Sequence, residues 1–579
     1  MSVSEIFGGL RSAHERPGER YDVAILGGGL AGLTLAIQLK QARPETSIFV
    51  GEKRTGPAPE AAFKVGESTV DLSAYYFAEV IGMKDHIEQV QNPKFGLRYF
   101  FSGVDNRDIT ARLELGPGNW YSSPSYQLDR GRFENELWSR AIKRGIEAFD
   151  GCRVLDFELG ASEHTISYGR EDSDGTLTAR WLVDATGRAS TLKRKLGLAK
   201  DVEHTINSSW FRLGHGLDYE QWGASDQKWM SRIVEPGIRH LSTTHLMGKG
   251  YWVWLIPLRS GPVSIGICAD PRFHPYERIE TLDAALDWLR EHEPQLFEAV
   301  DPRRDQIEDF LRVKDFAFGC ERVYSPERWC LTGEAAVFAD PFYSPGSDFI
   351  AMGNTFITDL VTRDLDGEDV LQRTEIWNAQ LFQLFGAFLR LYADLYPVFG
   401  NVRVCVPKLI WDHAVYWLLN ALRFNSNRLT DLRFLQRSGP ELQKGIQLTT
   451  TMQDLFKQWN ELGDVEADAG FVNVALPPLM DHVDDLGHEF DDDTITRMFQ
   501  EKVQFLEALA VLIFADAVRS LPGARIDEQT TINPYAISLD QGRWEEDGLL
   551  GGSGVTIADA REQLRGIQVS AMVREGPAA

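Results

Sequence analysis

The run Gly27-Gly28-Gly29-Leu30-Ala31-Gly32 constrains this chain more than any other feature. Residues 21–26 before it are apolar and β-branched, as a buried parallel strand requires. Residues 30–39 carry the apolar periodicity of a helix, and residues 47–50 read as a second strand. Residues 21–53 therefore form one β-α-β unit. Within the GxGxxG pattern, Gly27 allows the tight turn out of the strand. Gly29 lets backbone approach a pyrophosphate, and Gly32 lets the helix pack on the sheet. The helix N-terminus then offers free N–H groups and the positive end of its dipole to phosphate. Glu52, at the end of the second strand, stands where an acid accepts hydrogen bonds from an adenosine ribose.

The rest of the chain organises around that unit. Residues 130–144 read as a helix, and residues 181–184 and 329–331 as short strands ending at glycine-containing turns. Residues 252–257 and 262–268 alternate as antiparallel strands do. From about residue 350 long helical patterns take over, at 374–396, 407–424 and 494–521, and strand signals nearly vanish. The expected division is a polar leader at 1–20, a nucleotide-binding core at 21–365 and a helical region at 366–579. Gly551-Gly552-Ser553-Gly554 has no strand before it and reads as a loop.

Composition removes several classes of function. A formal net charge of −25 repels nucleic-acid phosphates and anionic lipid. The five cysteines are odd in number and lack any CxxC pair, which argues against a disulfide framework or a cysteine zinc site and fits a reducing cytosol. The first 20 residues lack the apolar core of a signal peptide, and the apolar run 509–515 is too short to span a bilayer, so a cytoplasmic protein without a membrane partner is expected. His482 and His488 lie in the acidic stretch 481–493, which reads as a solvated surface, and no metal is expected.

Three later segments specify the nucleotide. Asp184-Ala185-Thr186-Gly187-Arg188 resembles the strand-end DAxG motif of the FAD hydroxylase superfamily. Gly333-Glu334 resembles that superfamily's GD turn, with Glu in place of Asp. Leu128-Asp129-Arg130 resembles its arginine-bearing segment. The resemblance implies FAD as cofactor and an α/β, glutathione-reductase-type fold with an interleaved antiparallel sheet and a helical C-terminal region.

Three further segments form a second ordered set. Trp252, Trp254, Ile256 and Pro257 carry the WxWxIP signature. Lys94-Phe95-Gly96 supplies a KxG lysine about 30 residues after Gly66-Glu67-Ser68. Phe338, Pro341, Ser344 and Gly346 match Phe-x-x-Pro-x-x-Ser-x-Gly. Together these segments resemble those of the flavin-dependent halogenases, and the resemblance implies that reduced flavin from a separate reductase, oxygen and halide yield hypohalous acid. Lys94 then directs this oxidant toward an electron-rich aromatic or pyrrole-type small molecule, free or tethered to a carrier protein. Lys64 is a rival for that role and ranks lower. Trp252 and Trp254, two apart on one strand face, would wall the site. Ser344, Gly346 and Ser347 would hold chloride or bromide at a helix start.

Two departures stand out. Tyr343 occupies the place of a glutamate in the tryptophan halogenases, and Pro345 replaces Ser or Thr and removes one N–H donor beside the halide. Asp348 and His413 are candidates for a general base that no motif assigns. An FAD monooxygenase or dehydrogenase on the same scaffold, and a flavin-binding scaffold without turnover, are the alternatives.

Overall fold

In the computed structural model the strand Arg20–Leu26 lies at the centre of a parallel array. Residues 16–570 are described, apart from 61–64, 171–172, 466–467 and 476. Lys64 and most of the polar leader thus lie outside the described residues. The chain forms two compact units, each assembled from three separated segments. The first comprises residues 1–92, 126–203 and 317–386, and the second the remainder.

The first unit contains the nucleotide-type sheet. Arg20–Leu26 pairs in parallel with Ile48–Gly51 on one side and with Ser173–Asp184 on the other. Ser173–Asp184 is longer than the four-residue strand read from the sequence. Its first half pairs antiparallel with His164–Arg170, and its last three residues pair in parallel with Trp329–Leu331. Glu147–Phe149 closes the opposite edge. Leu26, Gly51, Asp184 and Leu331 thus end their strands at the same edge, where ligands of open α/β sheets bind. Val23, Ile25, Leu182 and Val183 are fully buried, each worth about 1.5–3 kcal/mol of apolar burial.

The helix Leu30–Ala42 packs against the helix Gly346–Leu365 through Asn354. The Asn354 amide donates to Ala31 O at 3.1 Å and Thr34 Oγ1 at 3.0 Å, and its carbonyl accepts from Thr332 Oγ1 at 2.6 Å.

The second unit contains an eight-stranded sheet. Its order is Ile307–Val313, Asn207–Leu213, Val263–Ala269, Tyr251–Pro257, Thr243–Gly248, Leu97–Phe101, Leu113–Gly116 and Gly470–Asn473. It is antiparallel except where Thr243–Gly248 meets Leu97–Phe101 and where Gly470–Asn473 meets Leu113–Gly116. That last strand is one of only three short strands after residue 350 among the described residues, where helices dominate as expected.

Long helices complete this unit, including Val402–Val415, Leu432–Asn460 and Asp492–Arg519. The first of them begins five residues before the predicted start. Pro407, read as an opening proline, is interior to the helix. Residues 509–515 are buried within Asp492–Arg519. Among the described residues no helix is long and apolar enough to cross a membrane.

Candidate active site

The glycine-rich turn of the first unit is shaped by close approach. Gly27 has φ +109°, and a Cβ there would meet Ala185 O at 2.4 Å. A Cβ on Gly32 would sit 2.0 Å from Gly27 O. Gly29 is the N-cap of Leu30–Ala42 and carries no side-chain cap, and the helix's first turn has no acid. Its first N–H groups are thus left to an anionic ligand. Glu52 accepts the N–H of Gly28 and that of Arg54, both at 2.9 Å.

The neighbouring turns differ in what they offer. Asp184 is buried and occupied with its own loop: it accepts from Thr186 N–H and hydroxyl and from Leu192 N–H at 2.7 Å. It braces the turn that carries Gly187, whose φ is +61° and whose missing Cβ faces open space. Gly333 has φ +59°, and a Cβ there would meet Ala31 Cβ at 3.2 Å, so the Glu334 turn comes close to the glycine-rich helix. Glu334 acts electrostatically on Arg188, whose guanidinium covers Phe318 and Phe338. Arg130 begins the helix Arg130–Lys143, capped by Asp129, and donates to Val65 O at 2.8 Å and to Glu134.

At the proposed halide segment Ser344 adopts φ +58°, and its N–H donates to Pro341 O at 2.9 Å. That N–H is used in a turn, so the group Ser344 could offer an anion is its hydroxyl. Phe349 N–H closes the first bond of Gly346–Leu365, to Pro345 O at 3.0 Å. The N–H groups of Gly346 and Ser347 precede the helical ladder, and a Cβ on Gly346 would meet open space. Asp348 accepts Ser73 N–H at 3.0 Å.

The second unit holds Lys94. The lysine is 3% exposed. Its segment is pinned by Lys94 N–H to Ser125 O, Phe95 N–H to Leu241 O and Thr243 N–H to Gly96 O. Gly96 has φ +64°, and a Cβ there would press on Pro117 at 2.9 Å, so the glycine of KxG is required locally. Trp252 and Trp254 lie 5.7 Å apart between ring centroids. Each indole N–H is satisfied, Trp252 by Tyr396 OH at 3.0 Å and Trp254 by Ser264 Oγ at 3.1 Å. Rings continue from this pair: Trp252 to His245 at 5.1 Å, His245 to Tyr99 at 4.7 Å, and Tyr99 to His413 at 6.1 Å.

An FAD-binding-domain family model matches residues 20–261. The flavin-dependent halogenase chlA of Dictyostelium discoideum is 28% identical over 429 residues, 69% of each chain. A pyrrole-2-carbonyl peptidyl-carrier-protein chlorinase of Pseudomonas fluorescens is 26% identical over 348 residues, 56% of this chain and 72% of its own. The curated relatives that this chain resembles are flavin-dependent halogenases, which supports an FAD-dependent halogenating enzyme. Among solved structures, halogenase PltM in complex with phloroglucinol and FAD shares the fold, with a TM-score of 0.59 at 16% identity over 84% of this chain and 96% of that one.

FAD is the halogenase's cofactor, and the residues present suit it. Among the described residues of the first unit, the buried guanidinium nitrogens Arg54 Nε and Arg130 Nε have no hydrogen-bond partner. A dinucleotide would supply acceptors for such donors and for the uncapped helix start. Arg54 was not singled out from the sequence; its place just after Glu52 was the available signal. Tyr99 and His245 were also missed. His413 is a candidate general base in the sequence, and nothing in its local pattern announces the ring cluster it joins.

Proposed function

We propose that this halogenase installs chloride or bromide on an electron-rich aromatic or pyrrole-type small molecule, using hypohalous acid that Lys94 directs. The placement of Lys94 carries this reading. A buried ammonium is costly and uncommon, yet this one is fixed on a pinned, glycine-dependent segment in the unit that holds the WxWxIP strand. Such a group can hydrogen-bond a small oxidant or hold its halogen on nitrogen, and orient it toward a ring carbon.

Gly27, Gly29, Gly32, Glu52, Arg130, Gly187, Gly333 and Glu334 hold FAD, with Asp184 bracing the turn. When bound, FAD supplies the redox chemistry that activates oxygen. Gly346 and Ser347 donate backbone N–H groups to halide, and Trp252 and Trp254 form a rigid wall. A separate flavin reductase supplies reduced flavin, consistent with a single nucleotide fingerprint in the sequence. The substrate is free or tethered to a carrier protein; the name of the Pseudomonas relative supports the tethered form. A cytoplasmic setting suits five cysteines that form no disulfide.

The test is mass spectrometry of products from a panel of phenols, indoles and pyrroles, free and carrier-bound. The mixture contains FAD, a flavin reductase, NADH and chloride or bromide. Halogenated product from the wild type and none from Lys94→Ala, with FAD retained in both, is the expected result. Halogenated product from both proteins would remove Lys94 from the mechanism.

A further inference from the structure

We propose that the loop 117–125 braces the segment that carries Lys94, and that Ser122 and Asp484 latch this brace to the C-terminal helical region. Ser122 and Asp484 are then positioning residues for halogen transfer, a role that rests on the reading of Lys94 given above. The loop meets the KxG segment at its start, middle and end. At the start, Pro117 lies so close to Gly96 that a Cβ there would meet the proline ring at 2.9 Å. In the middle, the Trp120 ring packs on the buried Phe95 ring at 4.9 Å. Tyr121 OH stands 3.6 Å from where a Gly96 Cβ would be. At the end, Ser125 O accepts the Lys94 N–H at 2.8 Å. The backbone of Lys94 thus takes its place from this loop.

The loop is in turn held from two sides. Its first end is tied through Gly118, whose N–H donates to Asn473 Oδ1 at 3.0 Å and whose carbonyl accepts Val234 N–H at 2.9 Å. Its apex is held by the helical region. Tyr121 meets Trp417 edge-on at 5.9 Å, and Ser122 Oγ donates to Asp484 Oδ1 at 2.5 Å. Asp484 caps the short helix Leu479–Val483. Lys502, 2% exposed on the helix Asp492–Arg519, fastens the turn around it. Its ammonium donates to His482 Nδ1 at 2.6 Å and to Asp485 Oδ2 at 2.5 Å. The His482 ring also stands edge-on to Phe505 at 5.0 Å. Breaking these contacts would strand a buried charge, so the turn 482–485 is a firm anchor. The start of the acidic stretch 481–493 is therefore a support for the loop as well as a solvated surface.

The Ser122–Asp484 bond faces solvent and contributes little to global stability. Its effect is on the position that the loop holds. Directing a small oxidant to one ring carbon requires a fixed geometry, and a shift of about 1 Å can cost about 100-fold in rate. A loop released at its apex carries Ser125 O, and with it the Lys94 backbone, away from that geometry. The latch thus acts on the transfer step and leaves both FAD binding and substrate binding in place.

Two measurements on the FAD-loaded full chain test this. The first is amide hydrogen exchange of the peptide that contains Lys94, read by mass spectrometry. In Ser122→Ala the Lys94 amide should exchange roughly tenfold faster than in wild type, as the loop opens locally. Ser122→Thr keeps the hydroxyl and should exchange as wild type does. Unchanged exchange in Ser122→Ala overturns the latch, and so does a speed-up shared equally by the strand Arg20–Leu26, which would show global loosening. The second is the kinetics of bromination. Ser122→Ala and Asp484→Ala should each lower kcat about three- to tenfold, with KM for the ring within about twofold of wild type, the effect of one lost hydrogen bond. The double variant should lose no more than the larger single loss, because the two residues act through one bond. Unchanged kcat, or losses that multiply, overturn the positioning role. Undiminished bromination by Lys94→Ala overturns the reading of Lys94 and the positioning role with it, while the exchange measurement still decides whether the latch exists.

Discussion

The Glu52 carboxylate accepts the Gly28 N–H at 2.9 Å, so the acid at the end of one strand holds the glycine-rich turn that follows another. The same carboxylate accepts Arg54 N–H at 2.9 Å. It thus fixes the turn and presents a charged acceptor beside it. Glu52→Gln replaces one oxygen with a donor that cannot accept. A hydrogen bond to a charged group contributes about 1.5–3 kcal/mol, so FAD should bind about 10–100-fold more weakly. Flavin fluorescence titration measures this, and an unchanged Kd would remove Glu52 from the ribose site.

Gly32 and Gly187 separate two reasons for glycine. At Gly32 an added methyl meets backbone at 2.0 Å, whereas at Gly187 it meets open space at positive φ. Gly32→Ala should cost at least about 1–3 kcal/mol of stability by overpacking and release FAD. Gly187→Ala should cost only about 1–2 kcal/mol of left-handed strain. Thermal melts and bound-flavin absorbance of the two variants check the order.

Glu114 is fully buried and holds three arginines. It accepts from Arg98 at 2.5 Å, Arg239 Nε at 2.9 Å and Arg232 at 3.3 Å. Removing its charge leaves buried guanidinium groups uncompensated. Glu114→Gln should lower unfolding free energy by about 3–5 kcal/mol in chemical denaturation. A loss below about 1 kcal/mol would show that Glu220 and the backbone carbonyls suffice.

Acid sensitivity should arise at a histidine pair. His274 and His292 have ring centroids 4.9 Å apart, beside Trp288 and Tyr251. Burial and the neighbouring His274 hold His292 down at about 4, against an ordinary value of 6.5. The unfolded chain therefore takes up this proton first as pH falls. The stability is intact above pH 6.5 and drains away between there and about pH 4. The Tm of wild type should fall across that window, and His292→Gln should flatten the fall. Parallel curves would place the acid sensitivity elsewhere.

The β-α-β unit was legible because it is local: strand, glycines, helix and acid follow one another within residues 21–53. WxWxIP and KxG were legible for the same reason, and Gly96 and Gly266 supply the physical need for small residues there, since a Cβ on Gly266 would overlap the Trp254 ring. The start of Val402–Val415 was misplaced because Pro407 suits a first turn by its fixed φ, while here the helix starts after Asn401 and the proline falls inside. The parallel pairing of Gly470–Asn473 with Leu113–Gly116, and the meeting of His413 with Tyr99, depend on segments far apart in sequence. No period or spacing encodes such pairings.

The product mass is the most direct test of the central claim. Wild-type protein is given FAD, a flavin reductase, NADH, oxygen and an electron-rich ring, once with bromide and once without halide. The account predicts a brominated product with the paired isotope pattern, dependent on bromide and absent in Lys94→Ala. A product that gains oxygen at the same rate with or without halide would contradict it and assign the chain to monooxygenation on the same scaffold.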